Sequence, residues 1–216
     1  MGDVRTPREA ALNPESHFAA LMRRRRMTRA YLPDPIARPL LDQLLDTARR
    51  VPSAGNSQGF DFLVLDTPEA VELYWSTTFS PEGRERFRWQ GLFQAPVLVV
   101  VYANADAYVS RYSEPDKART GLGAGADAWS TPYWLVDASM AALALQLAAL
   151  DAGLGVLFFG LFDHATAIAE AFGVPAGRQA VGTIAIGHPA PSQDESGRSS
   201  RRAKRPLDEI VHRGRW

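Results

Sequence analysis

The sequence predicts an α+β chain, an α/β sandwich with a small sheet between layers of helix. Three observations point there. Helix starts recur as a capping residue followed by proline at the first helical position, each leading into apolar residues at helical spacing. Between them lie four runs that read as strands, giving the order helix, helix, strand, helix, helix, strand, long helix, strand, helix, strand. The chain has 216 residues, 46% hydrophobic and 22% charged, which suits one domain spanning 1–216 with a sizeable core.

Taken in order, Asn13-Pro14-Glu15 opens the first helix, with Phe18, Leu21 and Met22 on a shared face. Asp34-Pro35 opens the second, with Ile36, Leu40, Leu41, Leu44, Leu45 and Ala48 inward. Phe60 to Leu65 is β-rich and forms the first strand. Thr67-Pro68-Glu69 and Ser80-Pro81-Glu82 open the third and fourth helices. Pro96 to Tyr102 is a continuous apolar run, as expected of a strand buried on both faces.

Asn104 to Ser130 is long and rich in Gly and Asp. Its Tyr108, Tyr112 and Trp129 suit stacking on a flat ligand, so the segment is either a lid-like insertion over residues 104–130 or an extra helix packed on the outside. Thr131-Pro132 then opens a long helix that stops at Gly153. Leu135, Val136, Met140, Ala141, Leu143, Leu145, Leu147 and Leu150 leave it almost no polar face, so it is a central spine, part of a dimer interface, or both. Val156 to Phe159 is the third strand. Asp163 caps the sixth helix, with Ile168, Ala171 and Phe172 inward and Gly173 as its stop. Ala180 to Ile186 is the last strand, and residues 188–216 form a C-terminal arm rich in Ser and Arg.

Composition excludes several chemistries. With no cysteine there are no disulfides, thiolate zinc sites, iron–sulfur clusters or cysteine nucleophiles. His17, His164, His188 and His212 are too scattered for metal-ligand spacing, so no metal is expected. No Gly-x-Ser-x-Gly elbow occurs, and Gly121-Leu122-Gly123-Ala124-Gly125 follows no strand, unlike a dinucleotide loop. The 24 basic and 24 acidic side chains cancel, which disfavours nucleic acid and anionic membrane as partners. Met1 to Pro14 lacks an apolar signal region and no charge-free run reaches about 18 residues, so a cytoplasmic location is expected.

Three segments carry candidate chemistry. Arg23-Arg24-Arg25-Arg26-Met27-Thr28-Arg29 concentrates positive charge and suits a discrete anion such as a phosphate monoester, or is a solvated helix end. Arg198, Arg201, Arg202, Lys204 and Arg205 form a second basic cluster, which either converges on the same anion or is independent of it. Pro52-Ser53-Ala54-Gly55-Asn56-Ser57-Gln58 offers mixed donors and acceptors that suit the edge of a planar heterocycle, or is an ordinary turn.

In this order the pieces resemble the FMN-dependent nitroreductase family. Arg25-Arg26-Met27-Thr28-Arg29-Ala30-Tyr31 is similar to its opening Arg-Arg-Ser-x-Arg-x-Phe/Tyr, and Pro52 to Phe60 to its Pro-Ser-x-x-Asn-x-Gln-Pro-Trp. Gly153-Leu154-Gly155 looks like its Gly-Leu-Gly, Ile184 to Pro189 like the end of its last core strand, and Arg202 to His212 like its basic closing segment. The sequence departs from the pattern at Met27 for Ser, at Gly59-Phe60 for Pro-Trp, and at Gly160, where some members carry Glu.

The resemblance implies a mixed sheet flanked by helices in an obligate homodimer, with a long helix at the interface and two FMN molecules in clefts shared by both chains. Arg25, Arg26 and Met27 would approach the phosphate, with Arg202 and Lys204 closing on it. Arg29 would lie at the pyrimidine edge. Pro52, Ser53, Ala54 and Asn56 would contact the ring from the partner chain, and Phe158, Phe159, Gly160 and Leu161 would run along it. It implies hydride transfer from NAD(P)H through FMN to a nitroaromatic, quinone or related small-molecule acceptor, with no catalytic residue required from the protein. Other flavin reactions on the same fold, or flavin binding without turnover, remain alternatives.

Overall fold

The computed structural model describes residues 16–195 and 197–216. Along the chain run α1 (His17–Arg24), α2 (Arg38–Ala48), β1 (Phe60–Leu65), α3 (Pro68–Thr78), α4 (Pro81–Arg86), β2 (Val97–Asn104), α5 (Ala105–Tyr112), α6 (Tyr133–Asp151), β3 (Gly155–Phe159), α7 (Ala165–Ala171) and β4 (Arg178–Gly187), with short 3-10 turns between some of them. The strands form one sheet in the order β1-β2-β4-β3.

Strand β2 explains the layering. Its side chains alternate between two cores, and both cores are apolar. Val97, Val99, Val101 and Ala103 pack with Leu41 and Leu44 of α2 and with Ala138, Ala142, Leu145 and Ala149 of α6. Leu98, Val100 and Tyr102 pack on the other face with Tyr74 and Trp75 of α3 and Ile168 of α7. A strand with no exposed face requires helices on both sides, and the sandwich supplies them.

Helix α6 is apolar on two sides for two reasons. Its alanines at 138, 141, 142 and 149 are buried against the sheet, where small side chains allow close approach. Val136, Met140, Leu143, Leu147 and Leu150 are spaced four and three apart in alternation and stay partly or largely open to solvent. That spacing is a heptad pattern along the outer side of the helix. The helix is long and apolar enough to cross a membrane, but one face belongs to the core of this sandwich and buries Asp137 and Gln146.

Local signals place most boundaries. Thr67, Ser80 and Asn104 cap α3, α4 and α5 through their side chains. Two starts differ from the sequence reading. Helix α2 begins at Arg38, because Pro39 rather than Pro35 occupies the first turn and Ala37 is extended. Asp163 lies in a 3-10 turn, so α7 begins at Ala165 without a side-chain cap, and Ala171 faces solvent. Asn13-Pro14, expected to open α1, lies outside the described residues; Ser16 caps the observed helix through the Ala19 N–H. The resemblance implies a mixed sheet, but every ladder among the described strands is antiparallel. Strand β4 enters between β2 and β3 and runs opposite to both.

One polar contact ties the second core together. The Tyr74 hydroxyl lies 2.8 Å from Thr183 Oγ1, both groups buried. Burial pushes the Tyr74 phenol from 10.0 up to about 12. Below pH 10 both folded and unfolded chains keep this proton. Above it the unfolded chain ionises first, so the contribution is lost as pH rises from 10 through about 12. Urea titrations should show Tyr74→Phe losing about 2–3 kcal/mol less than wild type over that window, while costing about 1 kcal/mol near neutrality.

Candidate functional site

The basic segment after α1 is fixed by its backbone. Thr28 N–H donates to Val156 O of β3 at 2.8 Å, Leu32 N–H to His188 O at 2.9 Å, and Ala190 N–H to Ala30 O at 3.0 Å. The close approach requires Gly155, since a Cβ there would sit 2.8 Å from the Thr28 side chain. Asp194, a nearly buried carboxylate, accepts from the Arg29 N–H at 2.7 Å and lies 3.8 Å from Arg26.

The arginines of this segment are used differently. Arg24 is 3.7 Å from Asp151, which also meets His17, so the end of α1 is tied to the end of α6. Arg29 donates to Met27 O at 3.2 Å and stacks on the Trp89 ring with its guanidinium carbon 5.1 Å from the centroid. Met27 packs into the same apolar core as Trp89 and Phe159. Arg25 is half-buried, yet its guanidinium has neither an ion pair nor a hydrogen bond among the described residues. Trp89 Nε1 is buried and likewise lacks an acceptor. A half-buried cation with no partner among the described residues suits an anionic ligand, and a buried donor without an acceptor suits an acceptor-rich one.

At the far end of β3, Phe159, Gly160 and Leu161 line an apolar cavity of about 270 Å³ together with Trp75, Phe87 and Trp89. Phe158 points into the opposite core. Phe162 follows with φ of 48° and its side chain largely in solvent.

The turn from Pro52 to Gln58 lies elsewhere, on the α2 and α6 layer. It is strained: Gly55, Asn56 and Gln58 have φ of 63°, 55° and 50°, which costs the two non-glycine residues about 1 kcal/mol or more each. Ser53 Oγ accepts from the Gln58 N–H at 2.9 Å. Asp137 of α6 accepts from the Ala54 N–H at 2.8 Å and from the Tyr108 hydroxyl at 2.6 Å. Burial and that carboxylate hold the Tyr108 phenol well above its ordinary range. Arg111 Nε donates to Gly55 O at 2.9 Å, and its guanidinium is gripped by Asp116 at 2.7 Å. Pro52 and Asn56 are exposed, while Ser53 and Ala54 are half-buried. The Asn56 amide has no partner among the described residues.

The segment 104–130 is built as α5 and a series of 3-10 turns. Tyr108 is fully buried and Trp129 nearly so, edge-on to each other at 5.7 Å. Neither presents a face to a ligand, which corrects the expectation that they stack on one. Arg202 and Lys204 lie in the exposed arm without ion partners among the described residues.

The sequence profile of the Nitroreductase family matches residues 22–188. The chain belongs to the nitroreductase family. A 5,6-dimethylbenzimidazole synthase from Rhodospirillum rubrum is 30% identical over 201 residues, covering 85% of this chain and 89% of that protein. A protein assigned as an NADH dehydrogenase/NAD(P)H nitroreductase from Archaeoglobus fulgidus is 26% identical, covering 79% of this chain and 84% of its own. Among solved structures, one assigned as a nitroreductase in complex with FMN, from Exiguobacterium sibiricum, superposes with a TM-score of 0.69 at 21% identity, covering 91% of this chain and 97% of that one.

Within this nitroreductase fold, Arg25, Arg26, Met27 and Arg29 are brought to β3, and Phe159, Gly160 and Leu161 share a core and cavity wall with Trp89. Pro52, Ser53, Ala54 and Asn56 are held on the other layer by α5 and α6. Sequence reasoning missed Trp89, Asp194, Arg111 and Asp137. Asp137 left a signal, as an acidic residue interrupting an apolar helix. The departure at Gly59 has a structural reason. A Cβ there would lie 2.3 Å from the Tyr108 ring and 2.7 Å from Asn104 O. Gly59→Ala should therefore cost about 1–3 kcal/mol in denaturant unfolding, and a variant as stable as wild type would show that the ring can yield.

Proposed function

We propose that this chain binds FMN and passes hydride from NAD(P)H to a nitroaromatic, quinone or related acceptor. The observation that carries this reading is Arg25: a half-buried cation with no ion partner among the described residues, on a segment locked to β3, in a chain of this family. FMN, when bound, supplies the redox chemistry, so donor and acceptor use one cleft in turn and ping-pong kinetics follow.

The chain's own residues bind and orient. Arg25 meets the phosphate, with Arg26 beside it and Arg202 and Lys204 closing from the arm. Met27 contributes packing where the family pattern has a hydroxyl. Arg29, held flat on Trp89, offsets negative charge at the pyrimidine edge. Phe159 and Leu161 exclude water along the ring and Gly160 leaves backbone exposed beside it, whereas Phe158, which packs in the opposite core, supports the strand from behind. Because Pro52, Ser53, Ala54 and Asn56 lie on the other layer of the same chain, a second copy supplies them to the ring. The open seam of α6 suits that copy, and the arm lies free to reach across it.

One finding favours a second reading, in which flavin is consumed rather than recycled: the Rhodospirillum rubrum relative is a 5,6-dimethylbenzimidazole synthase. Chromatography of the flavin after aerobic incubation with NADPH separates the two, since recycling leaves FMN intact and fragmentation does not.

The first reading requires a yellow protein that NADH or NADPH bleaches under nitrogen and a nitroaromatic or quinone restores. A flavin that binds but is never bleached would reduce the protein to a carrier. Arg25→Ala should weaken FMN binding by about 1.5–3 kcal/mol in a dialysis titration, and unchanged affinity removes Arg25 from the site. Sedimentation at micromolar concentration should show a dimer burying more than about 2,000 Å², and Leu143→Asp should shift it to monomer with loss of flavin. A stable flavin-loaded monomer would contradict a cleft built from two chains.

A further inference from the structure

We infer that α5 and Asp137 form a clamp that positions the 53–59 turn for its contact with the flavin ring, with Asp137, Tyr108 and Arg111 as positioning residues. The identity of what the turn touches rests on the function proposed above; the clamp rests on geometry alone.

The turn has bonds of its own, from the Asn56 N–H to Ser53 O, the Gln58 N–H to Ser53 Oγ and the Ser57 hydroxyl to Ala54 O. They close an unfavourable backbone: three of its four residues from Gly55 to Gln58 have positive φ, and two of those are not glycine. The remaining restraint comes from helices. Asp137 takes the Ala54 N–H, Arg111 takes the Gly55 carbonyl, and the Tyr112 ring lies 2.8 Å from where a Gly55 Cβ would be. The Tyr108 ring lies against Gly59 and passes its hydroxyl proton toward Asp137. Arg111 is itself fixed by Asp116 and Glu114.

Asp137 is a costly choice for packing alone. It is buried in a helix where a leucine would fill the space, and burying a carboxylate is unfavourable without compensation. One of its bonds ends in the turn and the other runs to a ring that leans on the turn. The clamp's product faces outward: Asn56 and Gln58 are exposed, with side chains unpartnered among the described residues. Tyr108 and Tyr112, offered by the sequence as ligand-stacking residues of a lid, are committed together with Arg111 to holding this turn.

The test compares wild type with Tyr108→Phe, Arg111→Met and Asp137→Asn in the full-length protein as purified. Amide exchange of residues 52–60 reads the clamp, and titration with FMN and with riboflavin reads the ring contact. Arg111→Met and Tyr108→Phe should speed exchange in the turn by about tenfold while β2 is unchanged. Both flavins should weaken together by about three- to tenfold, whereas Arg25→Ala should weaken FMN alone. Should Asp137→Asn not fold, the other two variants carry the test. Unchanged exchange in the turn overturns the clamp whatever the flavins do. Faster exchange with both flavin affinities unchanged leaves a purely structural brace and overturns the positioning role. A wild type that binds neither flavin overturns the ring contact through failure of the functional reading, and exchange then shows separately whether the clamp exists.

Discussion

Strand β2 has a strand on each side and helices on each face, and its side chains from Val97 to Ala103 are all buried. The charged and polar segments that carry candidate chemistry therefore sit at the margins of the sheet. The basic segment after α1 docks beside β3 and the end of β4, the turn at 52–58 is pushed out to α5 and α6, and the arm runs beyond both. The same constraint shapes α6. One side must supply alanines and Leu145 to the sheet, so Val136 and Leu143 on the other side are left exposed.

Many of the arginines on the helices and sheet are paired with carboxylates. Arg49 and Arg50 share Asp46, Arg84 meets Glu72, Arg111 meets Asp116, and Arg178 meets Asp61. Such pairs add little stability where they are exposed. Arg25 stands out against that background, because partial burial raises the cost of leaving a guanidinium unpaired. Asp194 sharpens the contrast by engaging the Arg26 guanidinium and the Arg29 main-chain N–H but not Arg25, which precedes them.

The two halves of the candidate site are built by different means. The segment around Arg25 is fixed by backbone hydrogen bonds to strand ends, which makes it rigid at little cost. The turn around Asn56 is fixed by side chains from two helices acting on an unfavourable backbone. That second solution ties the 104–130 segment to the turn, and it explains why Gly59 and Tyr108 occur together: the ring occupies the space that any side chain at 59 would need.

Periodicity and capping in the sequence determined the elements, because proline, threonine and serine at helix starts and an unbroken apolar run in β2 act through neighbours a few residues away. The basic cluster and the Pro52–Gln58 turn were legible as polar chemistry for the same local reason. Tertiary structure decided which arginine is free, since that depends on where Asp151 and Asp194 arrive from distant parts of the chain. It decided that Pro39 starts α2, that Tyr108 is core, and that the lone aspartate of an apolar helix grips a turn 83 residues away. Pairing and burial at such separations depend on how the layers pack, and no local pattern in the sequence carries that information.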